Sequence, residues 1–289
     1  MKINIGVMHV VPAVENTPAA ENIKKWNSLI RKNADLCKAD GTELTFQTAR
    51  CGMKTLHSFQ YKYMNILNDM ETLHGYMELD KTGKYDAIIG MCFFDPLMRE
   101  ARQALSVPFI GPGEVSMRMA AMMGKRFGVV SIGDRANWNI EDQIHQYCLD
   151  DYSVGVWGLP VTMEDQILAL TDARENIDGF VKVSKKLVAA GAEVILPGCM
   201  IMDPALRLAP GCEKEYPNGL HEVDGVPIMN VTALAIKVAE AFGAMKKAGL
   251  PWISRKLYYN SPHTPDGDKQ ALVDGADVLE YKGRGFWLD

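Results

Sequence analysis

The segment "DAIIGMCFFDP" (86–96) returns in a second version as "AEVILPGCMIMDP" (192–204), and this internal repeat constrains the fold more than any other feature of the chain. Each copy reads as an aliphatic strand, a glycine one or two residues ahead of a cysteine, apolar residues and then Asp-Pro. Each is followed by a helix, by a Val-Pro strand ("VPFIGPG" from 107, "VPIMNVT" from 226), and by a Met- or Ala-rich helix. The cysteine stands 15 residues before Val-Pro in the first copy and 27 in the second, and the extra 12 fit the polar insertion "RLAPGCEKEYPNGLHEVDG". Two α/β halves related by a rough two-fold follow from the repeat. Each half offers one cysteine at the carboxyl end of a strand, the edge where open α/β sheets place their ligands.

Elsewhere too, short aliphatic runs alternate with longer amphipathic segments, the pattern of parallel sheets covered by helices. Strands are expected near 2–8, 43–48, 86–91, 107–110, 126–131, 154–159, 193–197 and 226–229. Helices are expected in the segments between them that space apolar residues by three and four, such as "WNIEDQIHQYCL" and "ARENIDGFVKVSKKLVAAG". The Met-rich "MRMAAMM" reads as a helix between the lobes, with methionines as adaptable core fillers. A chain of 289 residues suits two lobes. The expected division is 1–112 plus 230–250 for the first, with the helix near 230–249 packing back on it, and 113–229 for the second. Residues 251–289 match neither half. They hold Trp252, Tyr258, Tyr259, Phe286 and Trp287, which favours an extension packed on its own or a neighbouring subunit over disorder.

Bulk properties remove several classes of function. A net charge of -5 leaves no basic surplus for a phosphate backbone, so nucleic acid is not an expected partner. The N-terminal segment does not read as a signal peptide, and no apolar run reaches the roughly 18 residues of a membrane span. Six scattered cysteines without a CxxC pair suggest neither zinc nor a disulfide framework, and so a cytoplasmic protein with reduced thiols and no metal. "GPGEVS" lacks the third glycine of a dinucleotide fingerprint, and neither "GKRF" nor "TGKY" has P-loop spacing. A homo-oligomer acting on a small molecule, without a cofactor, is the expected form.

A lone cysteine after an aliphatic strand is more often core than catalytic. Two in matched positions of matched halves are harder to produce by packing alone, which singles out Cys92 and Cys199. Cys37, Cys51, Cys148 and Cys212 lack that context. A thiol at a strand end just ahead of a helix is expected to have a lowered pKa, from backbone N–H groups and the helix dipole. With a substrate carbon between two such thiols, each sulfur about 3–3.5 Å away and the pair roughly 7 Å apart, one takes a proton while the other delivers one to the opposite face. That inverts the carbon. The C–H must adjoin a carbonyl, and the amides after each cysteine, at Phe93, Phe94, Met200 and Ile201, are candidates to stabilise the enolate.

"MCFFDPLMREARQALSVPFIGPGEVSMRMAAMMGKRFGVVS" and "GAEVILPGCMIMDPALRL…GVPIMNVTALAIKVAEAF" resemble the two cysteine motifs of the Asp/Glu racemase superfamily, most closely its hydantoin racemase branch. The resemblance covers roughly residues 2–250. It implies two flavodoxin-like lobes around a cleft and cofactor-independent racemisation, with Cys92 and Cys199 as acid and base. By the same analogy Ser131, ending the strand "RFGVVS", could bond substrate.

Amino-acid racemases of the superfamily follow their cysteines with Asn-Thr and Thr-His or Thr-Glu, which bind the substrate's charged groups. This chain has Phe93-Phe94 and Met200-Ile201, an apolar set suited to a less charged substrate such as a 5-substituted hydantoin or a related cyclic amide. Arylmalonate decarboxylases keep one cysteine, and maleate isomerases need groups complementary to a dicarboxylate. Where hydantoin racemases end their first strand with an Asn-Pro-Asn-like segment, this chain has "VMHVVP", which puts His9 at a substrate-facing position. Phe94 is bulkier than the usual residue, and the 205–224 insertion and the tail exceed the usual length. A different superfamily activity, or a non-catalytic two-lobed binding protein, remains the alternative.

Overall fold

The sequence repeat appears in three dimensions as the same strand order used twice. In the computed structural model, which describes residues 1–11, 18–53, 61–161, 163–261 and 267, strands β1 (Ile3–His9), β2 (Thr42–Thr48), β3 (Ala87–Met91) and β4 (Phe109–Ile110) form a parallel sheet in the order β2-β1-β3-β4. β5 (Phe127–Ser131), β6 (Ser153–Gly158) and β7 (Val194–Pro197) form a second parallel sheet in the order β6-β5-β7. Ile228 bridges Ile195 in parallel and takes the place that β4 holds in the first sheet. The expected fourth strand of the second half, 226–229, is therefore reduced to one bridge. Its first two residues instead form β9 (Val226–Pro227), which pairs antiparallel with β8 (Glu222–Val223) at the end of the insertion; β8 is the part strand patterning did not suggest.

The inner strands β3, β5 and β7 are buried at every position, as strands covered on both faces must be, and their near-continuous apolar runs reflect that. Beyond the buried Thr42, β2 alternates exposed and half-buried residues because it edges its sheet.

Helices α1 (Pro18–Asp35), α2 (Lys62–Lys81) and α3 (Met98–Ala104) belong to the first half. α5 (Asp134–Gln146), α6 (Met163–Leu168), α7 (Arg174–Ala189) and α8 (Met202–Leu208) belong to the second. α4 (Pro112–Met123) and α9 (Val231–Lys247) pack against each other at the junction; α9 also lies on β1, β3 and β4, and α4 touches strands of both sheets. One apolar core consequently spans the lobes, with Ile5 and Ile88 from one sheet and Phe127 and Leu196 from the other. A second core, including Phe180, Ile195 and Leu206, fills the outer side of the second sheet. Each fully buried side chain of this size contributes about 1.5–3 kcal/mol relative to an exposed one.

The Met-rich helix is only partly a core element. Met117 is fully buried, but Met122 and Met123 are 79% and 51% exposed, because the face of α4 that meets the core is set by Gly113, Ser116, Met117 and Ala120. Most of the expected extension, 262–289, lies outside the described residues apart from Gly267. Its first part returns to the first lobe, where the Arg255 guanidinium donates to the carbonyls of Arg102, Gln103 and Leu105. Among the described residues no helix is long and apolar enough to cross a membrane.

Candidate active site

Cys92 directly follows β3, and Cys199 stands two residues beyond β7, the corresponding strand of the second sheet. The matched topology brings both to the carboxyl edges of their sheets, and both line one cleft of about 620 Å³, part of it open to solvent. Val10, Trp26, Phe94 and Ile132 supply apolar wall between them, and among the described residues no charged side chain lines the cleft. Cys199 packs against both cores, and Cys92 against the small cluster of Val10, Val11 and Ile23. Val10, Cys92 and Phe94 also border a larger hollow of about 1430 Å³, part of it open to solvent, whose mixed lining includes Lys62, Asp69 and Arg99. Burial pushes the Asp69 carboxyl up to about 6, against the pull of Lys62.

The backbone beyond each cysteine turns amides toward sulfur. The Ile201 N–H lies 3.4 Å from Cys199 Sγ, the Met202 N–H also donates to it, and the Phe94 N–H donates to the Cys92 sulfur. These bonds favour thiolate, but burial outweighs them. The Cys92 thiol is driven well above the ordinary range by desolvation, with the negative charges of Asp69, Cys199 and Asp95 adding to it. Cys199 is raised for the same first reason. The expectation of lowered thiol pKa values is thus corrected. The helix dipole gives Cys92 little help, because α3 begins only at Met98, after a turn that includes Asp95 and Leu97 in left-handed conformation.

The Asp-Pro of each repeat has a structural use that the sequence did not disclose. Asp95 accepts the N–H groups of Gly113 and Glu114, at 3.0 and 2.6 Å, at the start of α4, and the Tyr147 hydroxyl at 2.8 Å. Asp203 accepts those of Val231 and Thr232, at 3.0 and 2.9 Å, at the start of α9. Each carboxylate, three or four residues after its cysteine, therefore satisfies the first-turn amides of the helix that ends its own half, where negative charge is also favoured by the dipole. Burial still pushes Asp95 up to about 7 and raises Asp203, in the latter case against the Arg207 guanidinium. Gly113 permits the close approach, since a Cβ there would lie 2.2 Å from the Phe93 carbonyl oxygen.

Two further bonds tie each cysteine loop to the opposite lobe. Trp26 of α1 donates its indole N–H to the Met200 carbonyl at 2.8 Å, and Gln143 of α5 donates to the Phe93 carbonyl at 2.9 Å. In both cases the acceptor is the residue immediately after a cysteine, and the donor sits on the helix that follows the first strand of the other half.

Other residues singled out in the sequence fall in two groups. Phe94 is half-buried at the cleft, while Phe93, Met200 and Ile201 line it from positions within the shared core. His9 and Ser131 end equivalent strands, and both are fully buried without lining the cleft. The His9 ring bonds Asn27 and packs on Trp26 with centroids 4.2 Å apart, and burial holds its pKa down to about 4. Ser131 bonds Asn137 of α5 and donates to the Gly133 carbonyl at 3.0 Å. Trp26, Gln143 and Gln166, which lines the cleft from α6, carried no signal in the sequence, because their roles come from contacts distant along the chain.

Comparison with known proteins places the chain in a family. The sequence model of the Asp/Glu/hydantoin racemase family matches residues 28–239. A hydantoin racemase of Pseudomonas sp. (strain NS671) is 25% identical over 203 residues, covering 69% of this chain and 73% of that protein. One from Rhizobium meliloti is 27% identical over 158 residues, covering 54% and 59%. Among solved structures, the allantoin racemase of Klebsiella pneumoniae superposes with a TM-score of 0.70 at 19% identity, covering 94% of this chain and 99% of its own. At that identity the superposition speaks for the fold, while the family match spans most of the chain and both cysteine motifs. The chain belongs to the Asp/Glu/hydantoin racemase family and is an isomerase of the racemase type.

Proposed function

We propose that this enzyme racemises a neutral ring amide, a 5-substituted hydantoin or a close relative, by proton exchange between Cys92 and Cys199 without a cofactor. The reading rests on one observation: the cysteines of the two half-repeats line one cleft whose described wall has no charged side chain. The names of the hydantoin racemases at 25% and 27% identity point the same way. A free amino acid would bring an ammonium and a carboxylate into this wall unpaired, at a cost of several kcal/mol for each ion. A hydantoin brings no net charge, and its ring carbonyl makes the adjacent C–H more acidic than that of an amino acid.

The thiolate of one cysteine takes the proton from C5, and the C–H electrons pass into the neighbouring C4 carbonyl as an enolate. The thiol of the other cysteine returns a proton to C5 from the opposite face and becomes the thiolate for the reverse turnover. Atoms and charge balance within each passage. The high thiol pKa values fit this chemistry from one side: a buried thiolate is scarce, but it is a strong base for a weak carbon acid.

The test incubates one enantiomer of a 5-substituted hydantoin with the enzyme in D2O and follows optical rotation together with deuterium uptake at C5. Wild type should lose rotation and gain deuterium, whereas Cys92→Ser and Cys199→Ser should each lose racemisation by at least about a thousandfold. Absence of both rotation loss and exchange would remove the substrate class, and normal turnover by both variants would remove the mechanism.

A further inference from the structure

Gln166 is 1% exposed, and neither its Oε1 nor its Nε2 has a hydrogen-bond partner. It is also the one side chain, among the described residues, that both carries such orphaned buried atoms and lines the cleft of the two cysteines. A buried carboxamide left unpaired at both ends works against folding, and native structures satisfy the great majority of such groups. Its position is fixed by its own short helix: the carbonyl of the preceding Asp165 accepts Asn176 Nδ2 of α7 at 2.9 Å and the Ala169 N–H at 3.0 Å. An amide held in place, closed to water and unpaired in an otherwise apolar wall is prepared for a ligand that supplies the missing partners.

A carboxamide offers one acceptor and, beside it, a two-proton donor, so its complement is a group with an N–H next to a carbonyl on the same edge. We infer that Gln166 reads the N3–H/C4=O edge of a ring imide, Oε1 accepting from N3–H and Nε2 donating to the C4 oxygen. The inference rests on the proposed ring-amide reading and goes beyond it by assigning the residue that selects the ring. The donation to the C4 oxygen strengthens as that oxygen becomes the enolate, so Gln166 favours the transition state as well as the bound ring. An ester or an N-methylated ring leaves Oε1 unpaired and is rejected, as sites built to pair a substrate N–H reject analogues that lack it.

The experiment measures calorimetric affinity of the full chain for a racemic 5-substituted hydantoin and for its N3-methyl derivative; a racemate makes the reading independent of turnover. Wild type should prefer the parent ring by about 10–100-fold. In Gln166→Met, which keeps the volume and removes the amide, that preference should shrink to within about threefold, with kcat/KM on the parent falling by a similar 10–100-fold. If Gln166→Met fails to fold by circular dichroism, the near-isosteric Gln166→Glu replaces it: it loses the donor to C4=O, and its affinity for the parent should fall by the same factor. Equal affinity of wild type for the two rings, no binding of the parent at millimolar concentration, unchanged preference in Gln166→Met, or, where Gln166→Glu replaces it, unchanged affinity for the parent would each overturn the assignment. Racemisation without N3 discrimination sinks Gln166 and leaves the function standing; discriminating binding without racemisation does the reverse.

Discussion

Lowering the pH from about 7 to about 4.5 acts on His9, a group beside the cleft whose response can be worked out in advance. The His9 ring is closed to solvent, and burial, against the bond to Asn27, brings its pKa from 6.5 to about 4. An unfolded chain takes up the proton near 6.5 and the folded chain only near 4, so between these values the unfolded state holds more protons. The stability that comes from burying a neutral ring is complete above the unfolded value and is lost as pH falls toward the folded one. At roughly 1.4 kcal/mol per unit the ceiling is about 3 kcal/mol, and about 2 of that disappears between pH 7 and 4.5.

Asp95 works in the opposite direction: its carboxyl is raised from 3.8 to about 7, so the folded state keeps a proton the unfolded state has lost, and this contribution grows as pH falls. Asp69, raised to about 6, works the same way as Asp95, so the wild-type curve alone does not isolate the ring. The difference between wild type and His9→Gln isolates the ring, since glutamine offers a donor to Asn27 and does not titrate. Urea unfolding at both pH values should find the variant less stable near neutrality, with the gap narrowing by about 2 kcal/mol in acid. A gap of the same size at both pH values would refute the buried neutral imidazole and return His9 to the solvent of the cleft.

Because burial raises both cleft thiols, the thiolate fraction, and with it deuterium uptake at C5, should climb about tenfold per pH unit from about pH 6 to 8.5. A plateau below about pH 8 in that exchange assay would show a thiol ionising in the ordinary range or below it. Asp203→Ala removes the acceptor of two first-turn amides and leaves the Arg207 guanidinium, 3% exposed, without its carboxylate 3.9 Å away. Urea unfolding should register a loss of about 3–5 kcal/mol, and a loss under about 1 kcal/mol would contradict the capping role.

The parts of this molecule that were legible in the sequence are those written locally. Apart from 226–229, the aliphatic strands appear within a residue or two of where their patterning places them, because a strand covered on both faces must be apolar throughout. The cysteine pair was legible because its context occurs twice. What sequence left hidden depends on residues far apart along the chain. His9 looked substrate-facing until Trp26 and Phe46 were seen to enclose it. Thiols expected to ionise easily are instead raised by desolvation, a property of the whole surrounding shell and not of neighbouring residues. Nothing marks Gln166 in "EDQIL" until the fold sets that amide in the wall of the cleft. The Asp-Pro pairs were visible as part of the repeat, but their amide partners lie 18 to 29 residues further along the chain.

The exchanged bonds from Trp26 to Met200 and from Gln143 to Phe93 bear on how such a cleft can move. If each cysteine loop were held only by its own lobe, any flexing between lobes would change the position of one sulfur without regard to the other. Here each loop takes its bearing from the lobe across the gap, as two parts machined from each other's reference surface keep their spacing when either shifts. The two bonds thereby couple the placement of one sulfur to that of the other. Under the proposed two-base reading, a site that works in both directions has a direct use for that symmetry.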